Sequence, residues 1–182
     1  MKPLIVILYN IRSTYNVGAI LRTCECLGVD GAIFSGYTPF LDKGLPHEQA
    51  KLRKQIHKTA LGAEELVAWE RRDDILTAIS DLRAKGYKIY ALEQGIERPA
   101  LNILDVKNYP NQVALILGEE VHGIPKEILA ACDELIEIPM RGQKESFNVS
   151  VAAGIAIWEI SKASQNGKEM YLRTQKESQQ PE

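Results

Sequence analysis

Cysteine and histidine are scarce in this sequence, which has three of each among its 182 residues. Cys24 and Cys26 are one residue apart and Cys132 is distant, so one chain can build neither a CxxC redox motif nor a four-ligand zinc set. We therefore expect no metal ion and predict that all three cysteines are small buried apolar residues.

Long apolar runs are also absent. The run from Leu4 to Leu8 is far shorter than the roughly 20 residues that cross a bilayer, and the start of the chain lacks the basic and apolar regions of a signal peptide. The sequence predicts a cytoplasmic protein without membrane contact. Its length and composition predict one domain over residues 1–164 and a polar, flexible tail over residues 165–182.

The net charge is only −2, whereas nucleic-acid-binding proteins are often basic. Local basic clusters nevertheless occur, and charge alone would favour reading them as solvated surface. The basic residues of these clusters are Lys51, Arg53, Lys54 and Lys58, together with His57, and then Arg141 and Lys144.

Short apolar runs alternate with segments of helical period, which predicts a parallel sheet flanked by helices. The predicted strands are 4–8, 32–34, 89–92, 113–117 and 135–138. Apolar stripes predict helices over residues 17–27 and 75–82, the second ending at Lys85 and Gly86. The segment from Gly36 to about Gly62 is rich in polar residues, proline and glycine, and we predict a long irregular connection there.

The last predicted helix, roughly Val149 to Ala163, has apolar residues nearly all round, which indicates burial nearly all round. Either a thick intramolecular core covers it, or a partner subunit covers one side. The pattern does not choose between these two alternatives.

Three polar segments follow predicted strands. The first is Asn10 to Thr23, where Asn16 occupies a position typical of a helix N-cap and Arg22 points away from the apolar stripe. The second is Leu117 to Pro125, with two glycines but neither a GxGxxG fingerprint nor a phosphate-loop lysine. The third is Ile138 to Ala153, in which Ser146 and Asn148 flank the start of the last helix. Taken singly, a surface arginine, helix caps and solvated carboxylates would explain each of them.

The order and spacing of the three segments resemble the TrmH (SpoU) branch of the SPOUT RNA methyltransferases. The family's motifs are an NxGAxxRT-like segment, a G-x-E-x-x-G turn and an IPM…SLNVSxAxA stretch, and the resemblance covers about Leu4 to Ser161. It implies an α/β fold with a C-terminal deep trefoil knot, a homodimer that packs through the last helix, and S-adenosylmethionine as cofactor. The expected activity is methylation of a ribose 2′-hydroxyl in tRNA or rRNA.

The resemblance also assigns roles to individual residues. Arg22 would act on the ribose, either as a base or by clamping the adjoining phosphate, and we favour the clamp because a guanidinium stays protonated. Asn16 would position RNA, Ser146 and Asn148 would hold Arg22, and Glu120 would orient the second motif. The cofactor would contact Leu92, Gly118, Ile138, Met140, Ser146 and Phe147. RNA would contact Arg12, Lys51, Arg53, Lys54, Lys58, Arg141 and Lys144.

Two positions depart from the family pattern. Glu119 stands where many members have a neutral residue and adds negative charge near the expected cofactor, while Phe147 replaces the usual leucine. Neither change affects the groups expected to do chemistry. The alternative functions are a catalytically silent RNA-binding homologue of the same fold and a metabolic enzyme that binds another nucleotide.

Overall fold

The computed structural model describes residues 3–40, 45–95 and 99–162. Seven strands form one sheet in which every pair of neighbours is parallel, in the order β3-β2-β1-β6-β4-β7-β5. The strands are β1 Leu4–Tyr9, β2 Gly31–Ser35, β3 Trp69–Arg72, β4 Lys88–Leu92, β5 Leu101–Asn102, β6 Val113–Leu117 and β7 Glu134–Glu137. The predicted parallel α/β fold is confirmed, and the predicted flexible tail lies outside the described residues.

Helices cover both faces of this sheet. They are α1 Thr14–Cys26, α2 Pro46–Ala60, α3 Ala63–Leu66, α4 Ile75–Ala84, α5 Lys126–Ala131 and α6 Val149–Lys162. One apolar core lies between the sheet and α1, α2 and α6, and a second lies between the sheet and α4 and α5. Because both faces are covered, the central strands are continuous apolar runs, as the sequence predicted.

The prediction of an irregular segment from Gly36 to Gly62 was wrong, because α2 occupies much of it. Pro46 stands in the first turn, where a proline is tolerated because that N–H would have no helical partner. A narrow stripe of Leu52, Ile56 and Ala60 packs against α1. Gly18 permits this close crossing, since a Cβ there would lie 2.3 Å from the carbonyl oxygen of Ile56.

Two smaller predictions also need correction. Cys24 and Cys132 are buried, but Cys26 at the end of α1 is exposed. Helix α6 is not buried all round within one chain, since Val151 and Trp158 remain 49% and 55% exposed. The intramolecular core therefore covers only one side of α6.

Candidate active-site cleft

The loops that leave β4, β6 and β7 surround a cleft of about 1080 Å³. Because these strands are adjacent and parallel, their carboxyl ends meet at one edge of the sheet, where open α/β sheets bind ligands. All six residues that the sequence assigned to the cofactor line this cleft: Leu92, Gly118, Ile138, Met140, Ser146 and Phe147.

The turn after β6 is tightly built. A Cβ on Gly118 would lie 2.5 Å from Cγ1 of Ile124, and Gly123 has a φ of +65°, so both glycines are required by the backbone. Glu93, just after β4, holds this turn from the neighbouring strand, because its Oε2 accepts the Ile124 N–H at 2.7 Å. Sequence reasoning missed Glu93, although a carboxylate that directly follows a buried strand was a usable signal.

A chain of side-chain hydrogen bonds joins the three polar segments beside the cleft. The Asn16 amide donates to Oε1 of Glu120 at 2.7 Å, and the Asn148 amide donates to Oδ1 of Asn16 at 3.2 Å. Asn148 also caps α6 by accepting the Ser150 N–H at 2.9 Å. Asn16 is not the N-cap of α1, contrary to the prediction. The helix begins earlier, and the side chain of Ser13 accepts the Asn16 N–H, which leaves the Asn16 amide free to bridge the segments.

Glu119 is buried at the side of the cleft, and its charge is compensated locally. Its carboxylate accepts hydrogen bonds from the hydroxyl of Tyr37 and from the backbone N–H of His122, contacts Nδ1 of His122, and lies 3.4 Å from Nε of Arg12. Burial alone would raise the pKa of Glu119, but the bonds from His122 and the charge of Arg12 outweigh it and leave that pKa below its ordinary value. Glu119 is therefore an ionised anchor for its neighbours.

Arg22 lies apart from this network. It is exposed on α1, about 9 Å along the helix axis from Asn16 at 1.5 Å per residue, and it does not line the cleft. Among the described residues, no side chain hydrogen-bonds or ion-pairs with Arg22. The structure thus does not place Ser146 or Asn148 in the predicted contact with it; Ser146 lines the cleft and Asn148 binds Asn16.

The basic residues that the sequence assigned to RNA are all exposed, but they form separate groups. Four of them lie on α2, namely Lys51, Arg53, Lys54 and Lys58, while Arg141 and Lys144 lie in the loop after β7 and Arg12 follows β1. Arg53 pairs with Glu65 at 3.1 Å, and the ammonium of Lys58 lies over the ring of Tyr15.

Carboxylates outnumber basic side chains around the cleft even when Glu119 is counted as paired with Arg12, which favours a cationic ligand over one that carries phosphate. Four carboxylates line the cleft, and Lys126 is the one lysine or arginine among the lining residues that the structure describes. The carboxylates are Glu93, Glu119, Glu120 and Glu145. A cleft lined by one sign of charge concentrates ligands of the other sign. Within the described residues, no cluster of three potential metal ligands occurs and no helix is long and apolar enough to cross a membrane.

A parallel α/β fold with a cleft at the carboxyl ends of its strands is typical of enzyme domains that bind a cofactor. Comparison with known proteins narrows the class: the sequence model of the SpoU rRNA Methylase family matches residues 3–158, and this chain belongs to that family. The tRNA (guanosine(18)-2′-O)-methyltransferase of Aquifex aeolicus is 30% identical over 172 residues, which are 94% of this chain and 74% of that protein.

Two further comparisons agree with this membership. The 23S rRNA (guanosine-2′-O-)-methyltransferase RlmB of Pasteurella multocida is 32% identical over 87% of this chain, and the match spans 60% of that relative. The crystal structure of the A. aeolicus TrmH/SpoU tRNA modifying enzyme superposes with a TM-score of 0.75 at 28% identity, covering 94% of this chain and 80% of the other. The chain therefore spans about three fifths to three quarters of these curated relatives.

Proposed function

We propose that this chain transfers a methyl group from S-adenosylmethionine to a ribose 2′-hydroxyl in tRNA or rRNA. The observation that carries the proposal is the bridge from Glu120 through Asn16 to Asn148, which joins the three family motifs beside one cleft. The similar tRNA and rRNA 2′-O-methyltransferases support the reaction class. One of them acts on tRNA and the other on 23S rRNA, and the proposal includes both classes of RNA.

The residues around the cleft suit S-adenosylmethionine. Apolar side chains such as Leu92 and Ile138 can cover an adenine ring, and the glycine backbone at Gly118 allows a close approach. Met140, Ser146 and Phe147 would complete the pocket, and the surrounding carboxylates suit a cation. When bound, this cofactor supplies an electrophilic methyl group on a sulfonium.

Arg22 is the group we assign to the ribose. A 2′-hydroxyl is a poor nucleophile until its proton is removed or polarised. Because a guanidinium remains protonated at any ordinary pH, Arg22 would clamp the phosphate next to the target ribose and stabilise negative charge that develops on its oxygen. Asn16 would position the RNA, and Glu120 would keep Asn16 in place.

The exposed basic residues would bind the remaining RNA. Those on α2 and those in the loop after β7 can neutralise phosphates on either side of the target. We assign this role to Arg12, Lys51, Arg53, Lys54, Lys58, Arg141 and Lys144. A protein that modifies tRNA or rRNA would act in the cytoplasm, as the sequence predicted.

A homodimer that packs through α6 is part of the proposal. The uncovered apolar side of α6, with Val151 and Trp158, supports it. So does the finding that Arg22 does not line the cleft of its own chain, since a partner subunit could then present its Arg22 there. Trp158→Glu should place a charge in the interface and halve the mass measured by light scattering, whereas Leu66→Glu on another exposed surface should not. An unchanged mass for Trp158→Glu would contradict this interface.

The C-terminal trefoil knot and the domain bounds are also proposals. Strand β7 lies three positions from β1 in the sheet. After β7 the chain runs back toward β1, where α6 contacts the turn at residues 103–105 and packs against α1. This path supports threading of the C-terminal segment. We assign residues 1–164 to the methyltransferase domain and residues 165–182 to a dispensable tail. A crystal structure whose backbone is unthreaded would refute the knot.

Substitution of Arg22 tests both the function and the role. Arg22→Ala should abolish methylation of total RNA while calorimetry still detects binding of S-adenosylmethionine. Lys85→Ala at the end of α4 is the surface control, because Lys85 is exposed and its side chain forms no hydrogen bond or ion pair with the described residues. If Arg22 clamps phosphate, Arg22→Lys should retain part of the activity with an unchanged pH profile. If Arg22 acts as a base, the pH profile of Arg22→Lys should move toward lower pH, because the pKa of lysine, about 10.4, is lower than that of arginine.

Methylation that survives Arg22→Ala would overturn the role assigned to Arg22. A chain that binds RNA but never methylates it would be a catalytically silent homologue.

A further inference from the structure

An aromatic ring and a guanidinium lie together beside the cleft, where the family motifs assign no aromatic residue. Tyr37 follows β2 and is 52% exposed, and the guanidinium carbon of Arg12, after β1, lies 5.9 Å from the centre of its ring. The Arg12 side chain is itself 58% exposed. Both residues contact Glu119, and Glu119 lines the cleft. Only this one side chain separates the pair from the cleft.

The two loops that carry this pair are fastened to each other. Asn10 has a φ of +58°, and its Oδ1 accepts the Tyr37 N–H at 3.1 Å. The buried hydroxyl of Thr38 accepts the Ile11 N–H at 3.0 Å and donates to the carbonyl of Leu8 at 2.8 Å. These bonds fix the backbone on both sides of the pair. Preorganisation of this kind lowers the entropy lost when a ligand binds.

The carboxylate of Glu119 orients both side chains. Its buried carboxylate accepts a hydrogen bond from the hydroxyl of Tyr37 and lies 3.4 Å from Nε of Arg12. Among the described residues, the two terminal nitrogens of Arg12 form no hydrogen bond. Terminal guanidinium nitrogens bind phosphate in a bidentate manner.

We propose that Tyr37 and Arg12 form a binding site for an unpaired nucleotide next to the target ribose, with the base stacked on Tyr37 and its phosphate on Arg12. The proposal rests on the RNA methyltransferase function proposed above. Exposed aromatic rings bind bases that are splayed out of a helix, and every base has a face that can stack. A duplex keeps its bases stacked on each other, so this site selects a single-stranded segment or loop.

Fluorescence anisotropy with the full chain tests the site. The probes are a labelled single-stranded RNA of about 12 nucleotides and the same sequence as an RNA duplex. Tyr37→Ala should weaken binding of the single strand by about fivefold to hundredfold, the range seen when a stacking ring is removed, with little effect on the duplex. Tyr37→Phe keeps the ring and should retain most of the affinity.

Two further variants separate stacking from other effects. Arg12→Ala should lower the slope of log affinity against log salt concentration by about one, as the loss of one phosphate contact requires. Tyr87→Ala is the aromatic control, because Tyr87 precedes β4 and so lies at the opposite edge of the sheet. Thermal unfolding of each variant checks that the fold is retained.

The outcomes keep the two proposals apart. Equal affinity of Tyr37→Ala and wild type for the single strand overturns the stacking site, as does an equal loss for both probes. If in that case the wild-type chain still methylates total RNA, the proposed function stands. If the wild-type chain binds neither S-adenosylmethionine nor either RNA probe, both proposals fail.

Discussion

Replacing Gly123 with alanine would disrupt the hydrogen bond by which Glu93 holds the turn after β6. The new Cβ would lie 2.2 Å from Oε2 of Glu93, the same oxygen that accepts the Ile124 N–H at 2.7 Å. Glu93 would have to move, and that hydrogen bond would be lost. Gly95 provides a matched control, since its φ of +66° is nearly the same and a Cβ there would meet nothing within 4 Å.

The expected magnitudes follow from these two environments. A left-handed backbone costs an alanine about 1–2 kcal/mol, and this cost applies to both variants. Gly123→Ala additionally loses a hydrogen bond to a charged group, worth about 1.5–3 kcal/mol. We therefore expect a loss of unfolding free energy of about 2.5–5 kcal/mol for Gly123→Ala and about 1–2 kcal/mol for Gly95→Ala.

Urea unfolding at neutral pH measures both values. Calorimetry with S-adenosylmethionine should also show weaker binding to Gly123→Ala, because the displaced turn lines the cleft. Equal stabilities of the two variants would refute the role assigned to Glu93.

Two more substitutions test the packing and the electrostatics. Gly18→Ala should destabilise the chain by about 1–3 kcal/mol, since its Cβ would lie 2.2 Å from Oγ1 of Thr59 at the α1–α2 crossing; Gly142→Ala, whose Cβ would meet nothing within 4 Å, should change thermal stability little. Burial alone would raise the pKa of Glu64, but hydrogen bonds from backbone amides and from His57 leave it below its ordinary value. Its stabilisation is therefore present above its unfolded pKa of about 4.3 and is lost as pH falls through the lower folded value, so Glu64→Gln should cost stability at pH about 7 and progressively less as the pH falls below about 4.3. A pH-independent difference would contradict this.

The central strands could be read from the sequence because burial on both faces makes them continuous apolar runs. The edge strand β3 could not, because Trp69–Arg72 pairs with β2 alone and carries three charged residues. Helix α2 was missed because most of its surface is polar and because the prolines and glycines of residues 36–62 were taken to indicate an irregular connection, although Pro46 is compatible with the first turn of a helix.

The candidate site also has some residues that the sequence could predict and others that it could not. Five of the six residues expected around the cofactor lie in the motifs and line the cleft, since the motifs follow strands whose ends converge. Leu92 lies outside the motifs, and Arg22 of the first motif does not line the cleft. The motifs could not reveal Glu93 or Tyr37, which belong to no motif and matter through contacts between loops far apart in sequence. Asn16 was taken for a cap because capping and bridging use the same side chain, and only the position of Ser13 separates the two roles.

The proposed chemistry is tested most directly by the position of the methyl group in labelled RNA. The chain is incubated with total RNA and S-adenosylmethionine carrying a radioactive methyl group, and the RNA is then hydrolysed with alkali. Alkaline cleavage requires a free 2′-hydroxyl, so ribose methylation should leave the label in alkali-resistant dinucleotides, and Arg22→Ala should remove it. Label recovered in mononucleotides, or none in RNA at all, would contradict methylation of the ribose.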